Sequence, residues 1–249
     1  MIRSLLRESE SLWEHLRRTD KPIYLYGMGN GAEKVIAALE RVGVSPAGVF
    51  ASDGFVRGHS FHGMQVLRYD QVQAEHGGRF IALLCFGINY EPMLSRLGQI
   101  DRECEFYAPD VAVIPTGDAL FDYPYLCKHE AELDEVYAHL ADGRSKETFL
   151  ALLEFKLSGK LPYLQSVFSD PAEAYRDILR PTGEETILDL GAFTGDTIRE
   201  YLSCAGSCRR ILALEPDAKN ARRLTRYLSG LPIPSEVYPA AAWDRPDTL

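Results

Sequence analysis

The sequence holds no Cys-x-x-Cys pair, and its five cysteines are odd in number, so neither a disulfide framework nor a zinc site is suggested. Cys85, Cys104, Cys127, Cys204 and Cys208 read as thiols, with Cys204 and Cys208, four residues apart, expected to be buried. Basic residues are in deficit: 27 Lys and Arg stand against 36 Asp and Glu, a formal net charge of -9. Nucleic acid and anionic lipid both need clustered positive charge, so no nucleic-acid partner is expected. Long apolar runs are also missing. Ile81 to Phe86 falls far short of the roughly 20 residues that cross a bilayer, and Arg3, Arg7 and Glu8 interrupt the N-terminus where a signal peptide would be apolar. No membrane span is expected, and the chain reads as cytoplasmic.

What is present is the composition of a globular protein, 46% hydrophobic and 25% charged over 249 residues. That length exceeds the common single-domain size of roughly 100 to 150, so two domains are expected. Ile2, Leu5, Leu6, Ser9, Trp13 and Leu16 share one helical face and predict a leading helix. From Pro22 to about Pro115, short apolar runs (Ile23 to Tyr26, Ala47 to Ala51, Phe80 to Phe86, Glu105 to Ala108) alternate with helical ones. That alternation argues for a parallel sheet wrapped by helices.

Residues 127–182 change character. Leu133, Val136, Tyr137 and Leu140, then Phe149, Leu152, Leu153 and Leu157, follow helical spacing. Gly159 is placed to end one helix, and Asp170-Pro171-Ala172-Glu173 to start the next. At Gly183 the alternation restarts, with strands expected over Thr186 to Leu190, Arg210 to Leu214 and Glu236 to Ala241. The expected fold is therefore α/β: two Rossmann-like doubly wound sheets, over 1–126 and 183–249, joined by a helical linker. Three strands are fewer than such a sheet normally uses, so the second sheet is expected to be incomplete and the chain truncated.

Each sheet carries a glycine loop. In Ile187-Leu188-Asp189-Leu190-Gly191-Ala192-Phe193-Thr194-Gly195-Asp196 the glycines let backbone approach a ligand at the carboxyl ends of the strands. Asp189 and Asp196 stand where a dinucleotide would place its pyrophosphate, and they would repel it. A cationic ligand without phosphate suits them instead, because the acids can accept its charge-assisted hydrogen bonds, and S-adenosylmethionine fits that description. Glu215, ending the next strand, offers a carboxylate to both ribose hydroxyls. The competing reading is that these acids only cap helices and end strands.

The stretch ILDLGAFTGDTIREYL followed by ILALEPDAKNARRL resembles the opening of FkbM-type class I methyltransferases, and Ala141 to Gly159 resembles the helical segment preceding that domain in members with an extra N-terminal domain. The resemblance covers about Glu132 to Asp244. It implies transfer of a methyl group from S-adenosylmethionine to a hydroxyl of a sugar, glycan or secondary metabolite. It implies that Asp189, Gly191, Ala192, Gly195 and Asp196 line the methionine end, that Glu215 holds the ribose, and that Pro216 and Asp217 shape the turn beside the adenine. Ala241, Ala242 and Trp243, at the expected end of the third strand, would lie at the adenine edge or equally in core. On this reading residues 183–249 are the first half of a methyltransferase domain. No general base can be named, and the chain alone is expected to be inactive.

The first loop, Tyr26-Gly27-Met28-Gly29-Asn30-Gly31-Ala32, has the Gly-x-Gly-x-x-Ala form of a nucleotide site, with Gly27, Gly29, Asn30 and Asp53 as its candidate residues. It carries no acid, so phosphate is tolerated. The sequence through Phe50-Ala51-Ser52-Asp53 to Gly63 and Val66 is similar to nucleotide-sugar-binding domains. A nucleotide-sugar-binding module without catalysis is the alternative function, and glycines that serve packing alone are the alternative for the loop. An oxidoreductase reading lacks a Tyr-x-x-x-Lys pair. His59 and His62 have no third ligand nearby, so no metal is expected. Phe121, Tyr123 and Tyr125 suit packing or an acceptor sugar.

Overall fold

Four apolar residues held between Pro22 and Gly27, with no polar alternation, are the signature of a strand covered on both faces. Ile23–Tyr26 is that strand, β1, and all four of its residues are buried. The computed structural model describes residues 2–52, 54, 56, 58, 60–87, 91–112 and 120–245, in two units, Met1–Phe168 and Ser169–Leu249.

In the first unit α1 (Leu12–Arg18) precedes β1, and α2 (Asn30–Arg41) carries the chain to β2 (Gly48–Ala51). β3 (Ser60–Phe61) and β4 (Met64–Arg68) form a hairpin, followed by α3 (Tyr69–His76), β5 (Ile81–Leu84), α4 (Glu91–Glu103) and β6 (Glu105–Tyr107). The spatial order is β3-β4-β2-β1-β5-β6, parallel except for the β3–β4 pair. Strand order reverses at β1. Because βαβ crossovers are right-handed, that reversal sends helices to opposite faces. Leu12, Trp13 and Leu16 of α1 and Val35, Ile36 and Leu39 of α2 cover one face with Leu25 and Leu83. Tyr69 and Val72 of α3 and Leu97 and Ile100 of α4 cover the other with Tyr24, Phe50 and Phe106.

The leading segment is not one helix. Ile2–Leu5 makes a 3-10 turn, and α1 begins afresh at Ser11, whose hydroxyl and Glu14 form a reciprocal cap. The reason lies in α7 (Gly143–Ser158): its buried Glu154 accepts the backbone N–H of Arg7 and, at 3.0 Å, of Glu8, donors that a continuous helix would have used internally. Helices α5 (Tyr123–Lys128), α6 (Glu130–His139) and α8 (Leu161–Ser166) complete this unit. Gly159 ends α7 in the left-handed region (φ 68), and its carbonyl takes the Ala108 N–H at 2.7 Å.

The second unit opens with Asp170 capping α9 (Pro171–Glu173), which runs into a π-helical turn, Ala174–Leu179. Then β7 (Thr186–Leu190), α10 (Asp196–Ala205), β8 (Arg210–Leu214), α11 (Ala218–Leu228) and β9 (Ser235–Tyr238) form a parallel sheet in the order β7-β8-β9. Each crossover advances in the same direction, so both helices fall on one face, where Ile198, Ile211, Ala213, Leu224 and Leu228 form the core. Leu188 and Leu190 are 58% and 56% exposed. β9 stops at Tyr238 rather than at Ala241 because Pro239 has no N–H to continue a ladder.

Candidate functional site

The second glycine loop runs from the end of β7 to the start of α10, and Leu214 at the end of β8 anchors it: its carbonyl accepts the N–H groups of Gly191 and Ala192, each at 2.9 Å. Gly191 has φ 91 with open space where a side chain would stand, whereas Gly195 (φ 88) lies so close to α11 that a Cβ would sit 3.0 Å from Leu224 and Tyr227. The first glycine therefore leaves room for a ligand, and the second lets helix and loop pack.

Asp189 has one carboxylate oxygen, Oδ2, that is buried with no hydrogen-bond partner among the described residues. Burial pushes this carboxyl above its ordinary value, and the charge of Asp196 in the first turn of α10 adds to the effect. A buried, partnerless acceptor is costly unless something completes it, and a ligand ammonium would do so.

Glu215 is only 6% exposed. Its Oε2 accepts the N–H of Phe193 at 2.7 Å and its Oε1 that of Asp217 at 2.9 Å, so this acid ties the glycine loop to the end of β8. Each oxygen keeps a further lone pair. Pro216 and Asp217 are exposed, and the Asp217 carboxylate caps α11 through the N–H groups of Lys219 (3.0 Å) and Asn220 (2.8 Å). Ala241, Ala242 and Trp243 lie beyond β9, with Trp243 72% exposed, so they neither end a strand nor enter the core.

Two residues of this site were not singled out from the sequence. Phe193 adopts φ 46, a left-handed conformation that costs a non-glycine residue about 1–2 kcal/mol and that its bond to Glu215 helps to hold. Arg199 donates to the Thr194 carbonyl at 2.7 Å while its guanidinium lies 3.8 Å from the centre of the Tyr227 ring. Neither role follows from spacing, because both depend on a backbone group in a loop.

The first glycine loop is built for close packing at two of its glycines. A Cβ on Gly27 would meet Phe86 at 2.6 Å, and one on Gly31 would lie 1.9 Å from the Cys85 carbonyl oxygen. Gly29 caps α2 at φ 117 with open space around it, and Asn30 is the first residue of that helix. Asp53 and His59 lie outside the described residues. His62 sits with Gly63 at the β3–β4 turn, both at positive φ, and pairs with Glu33 at 2.7 Å. Among the described residues no three His, Cys, Asp or Glu side chains group as a metal site. Phe121 and Tyr125 pack on each other, with Lys156 of α7 over Phe121.

The cysteines are all free; Cys85 and Cys208 are buried but Cys204, on α10, is exposed, and because α10 ends at Ala205 it shares no helical face with Cys208. Burial pushes the Cys85 thiol up to about 12, which leaves it unreactive. No helix among the described residues is long and apolar enough to cross a membrane.

No family model matches the chain, and no curated protein matches it. Among solved structures, the crystal structure of methyltransferase FkbM from Methylobacillus flagellatus KT has a similar fold, with a TM-score of 0.61 and 18% sequence identity. The match covers 89% of this chain and 64% of that one, so the chain spans less than two thirds of its structural neighbour's length. What the two share at that identity is the α/β architecture.

Proposed function

We propose that this chain carries the cofactor-binding part of an S-adenosylmethionine-dependent methyltransferase that methylates a hydroxyl of a sugar, glycan or other small molecule. The observation that carries this reading is the partnerless, buried Oδ2 of Asp189 beside Asp196, at a loop whose Gly191 stands open. Two carboxylates there disfavour a phosphate and favour a ligand bearing an ammonium and a sulfonium. The fold shared with a methyltransferase supports the same reading.

S-adenosylmethionine would supply an electrophilic methyl group for in-line displacement. Asp189 would accept from the ammonium of its methionine part, with Asp196 lending negative potential to the same end. Gly191 and Ala192, fixed by the Leu214 carbonyl, would give the backbone surface on which the nucleoside lies. Glu215 would hold the loop through Phe193 while its remaining lone pairs accept from ribose hydroxyls. Pro216 and Asp217 would border the adenine, and Ala242 and Trp243 are the outermost candidates for its edge. Alignment of the methyl group with an incoming hydroxyl would provide much of the rate gain, and no residue is assigned as the base.

Calorimetric titration with S-adenosylhomocysteine is expected to give a saturable signal that NAD and ATP, which bring phosphates to the acids, neither reproduce nor compete away. Absence of saturation with S-adenosylhomocysteine, or competition by ATP, would remove the reading.

A further inference from the structure

In the first unit the strand order reverses at β1, so the connections leaving β1 and β5 diverge and open a crevice at the carboxyl ends of these strands. A cavity of about 310 Å³ occupies that place, walled by Tyr26, Met28, Ala51, Ser52, Phe86 and Met93. The loop glycine Gly27 borders it, packed against the Phe86 ring. Among the described residues no charged side chain lines it. Two aromatic rings, Tyr26 and Phe86, and two thioethers, Met28 and Met93, supply much of its wall, surfaces that favour a flat polarizable ring.

One polar device stands at the wall. Tyr26 Oη lies 2.9 Å from Ser52 Oγ and donates to Met93 Sδ at 3.7 Å. Whichever of the two hydroxyls donates to the other, Ser52 Oγ keeps at least one lone pair to accept from a ligand N–H. The volume lies at the bottom of the roughly 300–1,000 Å³ range of small-molecule sites, enough for one nucleoside and too little for a dinucleotide.

We infer that this cavity is a second ligand site, for a nucleoside or nucleotide whose heteroaromatic base lies against Phe86, Met28 and Met93 and donates an N–H to Ser52. The open backbone at Gly29 and Asn30 borders the same loop, and a phosphate or a sugar attached through phosphate would leave the cavity there without meeting an acid of the loop. This inference does not depend on the methyltransferase reading, because its residues all belong to the other sheet.

The test uses the full chain with its methionine methyls labelled with carbon-13, saturated with S-adenosylhomocysteine so that the second loop cannot answer for the first. Uridine, cytidine and guanosine 5′-monophosphates are titrated in turn. At least one is expected to shift the Met28 and Met93 signals saturably while Met64, outside the cavity, stays still. Ser52→Phe, which fills the cavity, is expected to weaken that binding at least tenfold. The site is overturned if none of the three shifts Met28 or Met93 at millimolar concentration, if Met64 moves in step with them, or if a folded Ser52→Phe variant binds as the parent does. Should that variant not fold, the methionine pattern of the parent chain decides alone.

Discussion

Both sheets start with the same local design, a parallel strand ending at a glycine loop that opens a helix, and they part company in the direction the chain takes next. In the first, β2 lies on one side of β1 and β5 on the other, so helices cover both faces and a crevice opens between the diverging crossovers. In the second, β8 and β9 advance one way, both helices share a face, and the opposite face presents Leu188, Leu190 and Tyr238 to solvent. The loops differ in a complementary sense. The acid-free loop borders a walled cavity, whereas the other loop carries the two carboxylates of Asp189 and Asp196. Strand order thus sets how a site is enclosed, and side chains at the strand ends set what charge it accepts.

The sharpest way to break this comparison is to truncate one leucine in each sheet. Leu25, fully buried against α1 and α2, is expected to cost about 2–5 kcal/mol as Leu25→Ala. Leu188→Ala, on the open face, is expected to cost no more than about 0.5 kcal/mol. Urea unfolding followed by Trp13 fluorescence, which reports the first unit because Trp13 is buried there, gives the former, and circular dichroism the latter. Comparable losses would show that the second sheet is covered on both faces after all.

Asp189→Asn tests the charge side of the comparison. Loss of a hydrogen bond to a charged group is worth about 1.5–3 kcal/mol, roughly 10- to 100-fold in the Kd for S-adenosylhomocysteine. The variant should nevertheless be at least as stable as the parent at neutral pH. Because burial and Asp196 raise the folded-state value of Asp189, its ionised form opposes folding; that cost is absent below the ordinary value near 3.8 and sets in as pH rises through the folded one. Unchanged affinity, or weaker binding accompanied by lost stability, would count against Asp189 as a ligand-facing acid.

Much of this was legible in the sequence, and the gaps have physical causes. β7 and β8 have the bounds their apolar patterns predict, because each is short, continuous and ended by a glycine or an acid. The β3–β4 hairpin was not foreseen: Ser60–Phe61 is two residues long, and its turn relies on His62 rather than on an Asn-Gly or Asp-Gly pair. The leading helix failed for a long-range reason, since Glu154 captures backbone donors about 146 residues before it in the chain. At the candidate site the order of loop, acids and distal Glu215 was readable. That Glu215 holds Phe193, and that Arg199 holds Thr194, was not, because a side chain's backbone partner carries no residue-type signal.

The smallest expected effect concerns how the half-covered sheet is fastened at its start. Glu185, just before β7, accepts the N–H groups of Thr182 (2.7 Å) and Gly183 (2.9 Å), the Thr182 hydroxyl (2.9 Å) and the Tyr201 hydroxyl of α10 (2.8 Å). These donors, the Thr182 N–H foremost and the Tyr201 hydroxyl next, lower its carboxyl from an ordinary 4.5 to about 2. A lowered folded-state value means that the ionised acid supports folding. The support is fully present above about pH 4.5 and fades as pH falls from there through about 2. Glu185→Gln, which keeps the shape and loses the charge, is therefore expected to lower the thermal midpoint slightly at pH 7 and to make little difference near pH 2. Because the carboxylate is exposed to solvent, the difference at pH 7 should shrink further in high salt. A midpoint difference between parent and variant that persists undiminished from pH 7 to pH 2 would show that Glu185 acts through packing and not through its charge.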